Sequence, residues 1–162
     1  MNAAPCIYVD ADACPVKKEI IAVAEKCQVE VFMIASYDHH LEKPAGSSLI
    51  HTVQLDRGFQ SVDMYIANHT SPGDVVITQD LGLAALILGK KATALSNRGE
   101  TYTPDQIDFL LAVRHTHAKK RRAGGRTKGP KAMTEADRQR FLQSLTKILV
   151  ELQENHSSQR NT

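Results

Sequence analysis

Short apolar runs that suit strands alternate along this chain with segments whose apolar residues recur at helical intervals. That alternation limits the fold more than any other feature. Cys6 to Val9, Val29 to Ala35, Leu49 to Leu55, Val75 to Thr78 and Thr93 to Leu95 read as strands. Between them, Pro15 to Cys27 places Val16, Ile20, Ile21, Val23 and Ala24 at helical spacing. Ser61 reads as the N-cap of a helix carrying Val62, Met64, Tyr65 and Ile66. Leu81 to Leu88 reads as a helix stopped at Gly89, and Gln106 to about His117 as another. Strands alternating with helices imply right-handed βαβ crossovers and hence a parallel sheet covered on both faces. The predicted fold is a three-layer α/β/α sandwich with a mainly parallel central sheet.

At 162 residues the chain is the size of one domain, and with no Trp and 5% aromatics its core must be aliphatic. The domain is expected over residues 1–153, with a basic, flexible linker at 118–133, a C-terminal helix at 134–153 and a frayed polar tail at 154–162. The last helix is opened by Thr134 and Asp137, a capping box with Asp in place of Glu, and shows one apolar face of Phe141, Leu142, Leu145, Ile148, Leu149 and Leu152. No apolar run approaches the roughly 18 residues of a membrane span, and the first residues show no basic region ahead of an apolar one. Cys6, Cys14 and Cys27 form no C-x-x-C pair, which points to a reducing, cytoplasmic setting.

Charge is unevenly distributed. Between Asp108 and Glu135 there is no acid, yet eight of the 20 Lys and Arg residues lie there, so the rest of the chain, with 18 Asp and Glu, is acidic on balance. Lys119, Lys120, Arg121, Arg122, Arg126 and Lys128 have two readings: contacts along the phosphates of a nucleic acid, or a solvated loop.

The acids gather at predicted strand ends. Asp10 and Asp12 follow the first strand, Asp80 follows the fourth, and Asp63 lies in the first turn of the helix after the third. In a parallel sheet all four converge on one edge, where such folds place their sites. Carboxylates so gathered call for protonation or a cation, and hard oxygen donors favour Mg²⁺ or Mn²⁺. A cation there activates water and stabilises phosphoryl transfer, which makes Asp10, Asp12, Asp63 and Asp80 both the metal ligands and the catalytic candidates. Singly, Asp12 and Asp80 serve as well as N-caps, and Asp63 suits a helix dipole. On the same edge, Asn97 and Arg98 are candidates for a phosphate, with Gly99 letting the backbone approach, and Arg57 beside Gly58 repeats the idea.

Four blocks carry a family resemblance: Tyr8-Val-Asp-Ala-Asp-Ala-Cys-Pro-Val-Lys17, Asp56-Arg-Gly-Phe-Gln-Ser-Val-Asp-Met-Tyr-Ile66, Val76-Ile-Thr-Gln-Asp-Leu-Gly-Leu-Ala84 and Ser96-Asn-Arg-Gly99. Together they resemble the YaiI/YqxD family, which is similar to PIN and NYN domains, metal-dependent ribonucleases. The resemblance implies a divalent-cation nuclease with RNA as its partner. It also implies that the acidic motif of the first strand is matched by Asp10 and Asp12, a later V-D by Val62-Asp63, and a D-S-D motif by Asp80 alone. Two other readings remain open. One is a non-catalytic RNA-binding protein of the same fold; the other is a phosphatase of the haloacid-dehalogenase kind, with Asp10 as nucleophile, Asp12 as acid and Ser36 as a strand-two hydroxyl.

Overall fold

A computed structural model describes residues 4–37, 47–56, 60–126 and 131–161. The predicted residues 38–46 of the loop after the second strand, with Arg57 and Lys128, lie outside the described residues. The expected alternation is realised as β1 (Ile7–Asp10), α1 (Lys17–Cys27), β2 (Val31–Ser36), β3 (Ile50–Leu55), α2 (Val62–His69), β4 (Val75–Ile77), α3 (Leu81–Gly89), β5 (Thr93–Leu95), α4 (Pro104–Arg122) and α5 (Glu135–Arg160).

All five strands are parallel, in the order β3-β2-β1-β4-β5. Side chains alternate between two apolar layers, as a sheet buried on both faces requires. Ile7, Val9, Val31, Met33, Val75 and Ile77 pack under α1 and α5 with Ile20, Phe141, Leu145 and Leu149. Tyr8, Phe32, Ile34, Val76 and Ala94 face α2, α3 and α4 through Ile66, Leu83, Ile87 and Ile107. Phe141, Leu145 and Leu149, at i, i+4 and i+8 on α5, are fully buried. Each contributes about 1.5–3 kcal/mol of transfer free energy, which makes α5 an integral layer of the fold rather than an appendage.

Helix ends follow local chemistry. Thr134 and Asp137 close a capping box in both directions, Thr134 N–H to Asp137 Oδ2 at 3.1 Å and Asp137 N–H to Thr134 Oγ1 at 3.1 Å. Ser61 stands at the N-cap of α2, but its hydroxyl makes no capping bond. The boundaries that depart furthest from the expectation are the ends of α4 and α5. α4 runs through Arg122, into residues read as linker, and ends in a Schellman turn. There Gly124 N–H donates to Arg121 O at 3.0 Å and Gly125 N–H to Lys120 O at 2.8 Å, with Gly124 at φ +87°. Four cations in its last turn favour that terminus through the helix dipole. α5 continues to Arg160, past the expected end at 153; Leu152 joins the core, Gln153 donates to Cys27 O at 2.7 Å, and beyond them His156 is half-buried. Among the described residues, no helix is long and apolar enough to cross a membrane.

Candidate functional site at the sheet switch point

The strand order places β1 beside β4, where successive connections leave the sheet in opposite directions. The crevice beyond the carboxyl ends of such a strand pair is the usual ligand site of open α/β sheets. Asp10 is the last residue of β1, and Thr78 directly follows β4. Thr78 is buried, and its hydroxyl donates to Asp10 Oδ2 at 3.1 Å across the crevice. With its single proton so committed, the same oxygen accepts Asp80 N–H at 3.0 Å. One hydroxyl therefore ties the ends of both central strands. Tyr102 holds it from behind by donating its phenol to Thr78 O at 3.1 Å.

The acids are arranged around this bond. Asp12 Oδ1 accepts Ser36 N–H at 2.8 Å, which anchors the turn after β1 to the end of β2. Asp80 caps α3, its Oδ1 accepting Leu83 N–H at 3.1 Å. Asp63 lies in the first turn of α2. Burial pushes the Asp10 carboxyl above its ordinary value. The Thr78 bond opposes that shift, while the charges of Asp12, Asp80 and Asp63 reinforce it, in that order. The four predicted acids thus share one edge, and three of them raise the pKa of the fourth, Asp10. They do not form a tight cage: among the described residues, no group of three or more His, Cys, Asp or Glu is close enough together to hold a metal ion.

Other candidates are placed as follows. Asn97, Arg98 and Gly99 form a turn that folds back along β5, closed by Ser96 N–H to Glu100 O at 2.8 Å and Gly99 N–H to Ser96 O at 3.1 Å. Asn97 N–H donates to Gln79 Oε1 at 2.8 Å. The guanidinium of Arg98 engages Asp137 and the carbonyl of Lys131. The close approach that Gly99 permits is to α5, since a Cβ there would lie 2.9 Å from Arg140 O at a φ of +84°. Asp137 is held below the usual carboxylate range by the Thr134 N–H and hydroxyl and by Arg98 and Arg140. This turn therefore docks the start of α5 onto the site's edge. Lys119, Lys120, Arg121 and Arg122 occupy the last turn of α4, and Arg126 is exposed just beyond it.

Cys14 sits near Asp10, but burial, with Asp10 and Glu19 adding to it, pushes its thiol up to about 11 against the opposing Val16 N–H and Lys17. It packs against the core as a thiol, not a nucleophile. Thr78 and Tyr102 are the residues that sequence reasoning missed. The one signal for Thr78 was a hydroxyl two positions before Asp80 at a strand end. Tyr102 carried none, because its role depends on the chain turning back along β5.

The model of the uncharacterised YaiI/YqxD family matches residues 8–151. The chain belongs to the YaiI/YqxD family. A UPF0178 protein of Bacillus velezensis is 48% identical over 143 residues, covering 88% of this chain and 84% of that one. Another, from Listeria welshimeri, is 44% identical over 149 residues, covering 92% and 98%. A third, from Halalkalibacterium halodurans, is 48% identical over 143 residues, covering 88% and 89%. No solved structure matches the chain. The family match spans Asp10, Asp12, Asp63, Thr78 and Asp80 together with the turn at Arg98 and the first two thirds of α5.

Proposed function

We propose that this YaiI/YqxD protein hydrolyses phosphodiester bonds in RNA with the help of Mg²⁺ or Mn²⁺ at the carboxyl edge of its sheet. The observation that carries the reading is Asp10: a half-buried carboxylate at the switch point, fixed by Thr78 and loaded with the charges of three further acids. Such a group gains from a nearby cation more than an isolated carboxylate would. Mg²⁺ keeps several waters and is commonly held by one or two carboxylates plus substrate phosphate rather than by an all-protein cage, so it does not need a close group of three protein ligands. Asp10 and Asp12 are the residues that would hold it, with Asp63 and Asp80 acting through water. The ion would supply an activated water and neutralise charge on the phosphoryl group. The chain's own part is to fix Asp10 through Thr78 and to fix Asp12 through Ser36.

The absence of a close three-ligand group among the described residues favours a second reading, a non-catalytic RNA-binding protein with the same fold. Cleavage of labelled RNA separates the two. The hydrolase reading expects Mg²⁺- or Mn²⁺-dependent products from the wild type, abolished by chelator and by Asp10→Asn. Cleavage that survives in Asp10→Asn refutes the site. RNA binding without cleavage under any cation leaves the second reading.

A further inference from the structure

The C-terminal half of α4 is a helical segment that carries a dense, exposed positive charge. Ile107 is the buried residue of this helix, and from Leu111 to Arg122 no residue is buried. Arg114, His115, His117, Lys119, Lys120 and Arg122 are all exposed there, and the sequence carries no acid between Asp108 and Glu135 to neutralise them. The segment is ordered as helix to its end by the Schellman turn at Gly124 and Gly125. That turn also fixes the bearing of Lys120, whose stem runs so close over Gly125 that a Cβ there would meet Lys120 Cγ at 2.6 Å.

Helical geometry then decides what such an arm can grip. Lys119 and Arg122, three residues apart, share one side, whereas Lys120 lies about 100° from Lys119 and about 160° from Arg122 around the axis. A single strand presents one row of phosphates and satisfies one side of the arm. A paired stem presents two rows flanking a groove, and phosphate and 2′-hydroxyl contacts across grooves are how duplex RNA is held. The acidic remainder of the chain repels the same polyanion elsewhere and directs it to this helix. We infer that the C-terminal half of α4 docks on the paired stem of an RNA, with Lys119 and Arg122 on one phosphate row and Lys120 on the other. The inference rests on the RNA reading above and specifies its substrate class.

The test measures binding of a labelled RNA hairpin and of an unpaired RNA of equal length to the full chain in EDTA, across a salt series, so that no cleavage intervenes. The hairpin should bind more tightly. On it, Lys119→Gln/Arg122→Gln should reduce the slope of log K against log salt by about 1.8 and Lys120→Gln by about 0.9, since each duplex phosphate contact contributes about 0.9. On the unpaired strand, one of these two variants should change the slope and the other leave it unaltered. All three side chains are exposed, so the variants should lose only their helix-terminus charge and melt within about 2–4 °C of wild type per cation removed. Equal affinity for the two probes, or a hairpin slope unchanged in either variant, overturns the docking inference and leaves the hydrolase reading intact. Binding to neither probe overturns the docking inference, and absence of binding to both when Mg²⁺ is supplied to Asp10→Asn and to wild type overturns the RNA reading as well.

Discussion

The bond from Thr78 to Asp10 makes a sharp prediction. Thr78→Val keeps the shape of the side chain and removes the hydroxyl that joins β1 to β4. Two hydrogen bonds are lost at once, 3.1 Å to Asp10 Oδ2 and 3.0 Å from Asp80 N–H, at a residue only 1% exposed. A bond to a charged acceptor contributes about 1.5–3 kcal/mol and a neutral one about 0.5–1.5 kcal/mol. The Asp80 N–H belongs to an exposed residue and regains water, so its loss falls at the low end. The expected cost is about 2–4 kcal/mol, a fall in melting temperature of roughly 5–15 °C for a chain of this size. Thr78→Ser retains the hydroxyl and should lose only a methyl, about 1 kcal/mol. Thermal unfolding at neutral pH reads both. Because the bond favours ionised Asp10, the valine penalty should shrink as the solution is acidified and Asp10 is protonated. A valine variant within 1 kcal/mol of wild type, or a serine variant as unstable as the valine one, would refute the reasoning.

Two further outcomes follow from the same geometry. Asp10→Asn should be more stable than wild type at neutral pH. The raised pKa of Asp10 means that its ionisation weakens the fold above that pKa, so the variant's advantage should fade as pH falls and vanish below the ordinary carboxylate value of 3.8; pH-dependent unfolding that shows no such convergence speaks against it. Gly99→Ala should destabilise by about 2 kcal/mol or more, because alanine resists a φ of +84° and its Cβ would press within 2.9 Å of Arg140 O; hydrogen exchange should show the first turns of α5 loosened, and unchanged protection there would mean that the turn does not dock the helix.

Much of the fold was legible because strands and helices here carry clean periodicities. β5 was read to the residue from Thr93-Ala94-Leu95, and the α5 capping box from Thr134 and Asp137. The convergence of Asp10, Asp12, Asp63 and Asp80 followed from the rule that parallel sheets place strand ends on one edge. What escaped depends on contacts distant in sequence. Thr78 reaches Asp10 across 68 positions, and Arg98 meets Asp137 across 39. No local pattern announces such a partner. The Arg98–Gly99 turn suggested a phosphate cradle because an arginine before a glycine looks the same whether it faces a ligand or a helix. The end of α4 was missed for a local reason. Ala123-Gly124-Gly125 after a run of cations reads as a flexible linker, yet glycine in the left-handed region and cations in the last turn are also what stops and stabilises a helix.

The central claim is that the acids at the switch point attract a divalent cation. Its most direct test is a titration of Mn²⁺ and Mg²⁺ against wild type and Asp10→Asn, followed by thermal unfolding. An ion that binds the folded state alone stabilises it by RT ln(1 + [L]/Kd), about 2.7 kcal/mol at a hundredfold excess over Kd. The account predicts a saturable rise in the wild-type melting temperature that is largely lost in Asp10→Asn. Equal behaviour of the two proteins across the titration would contradict it and reduce the four acids to caps and anchors of their strands and helices.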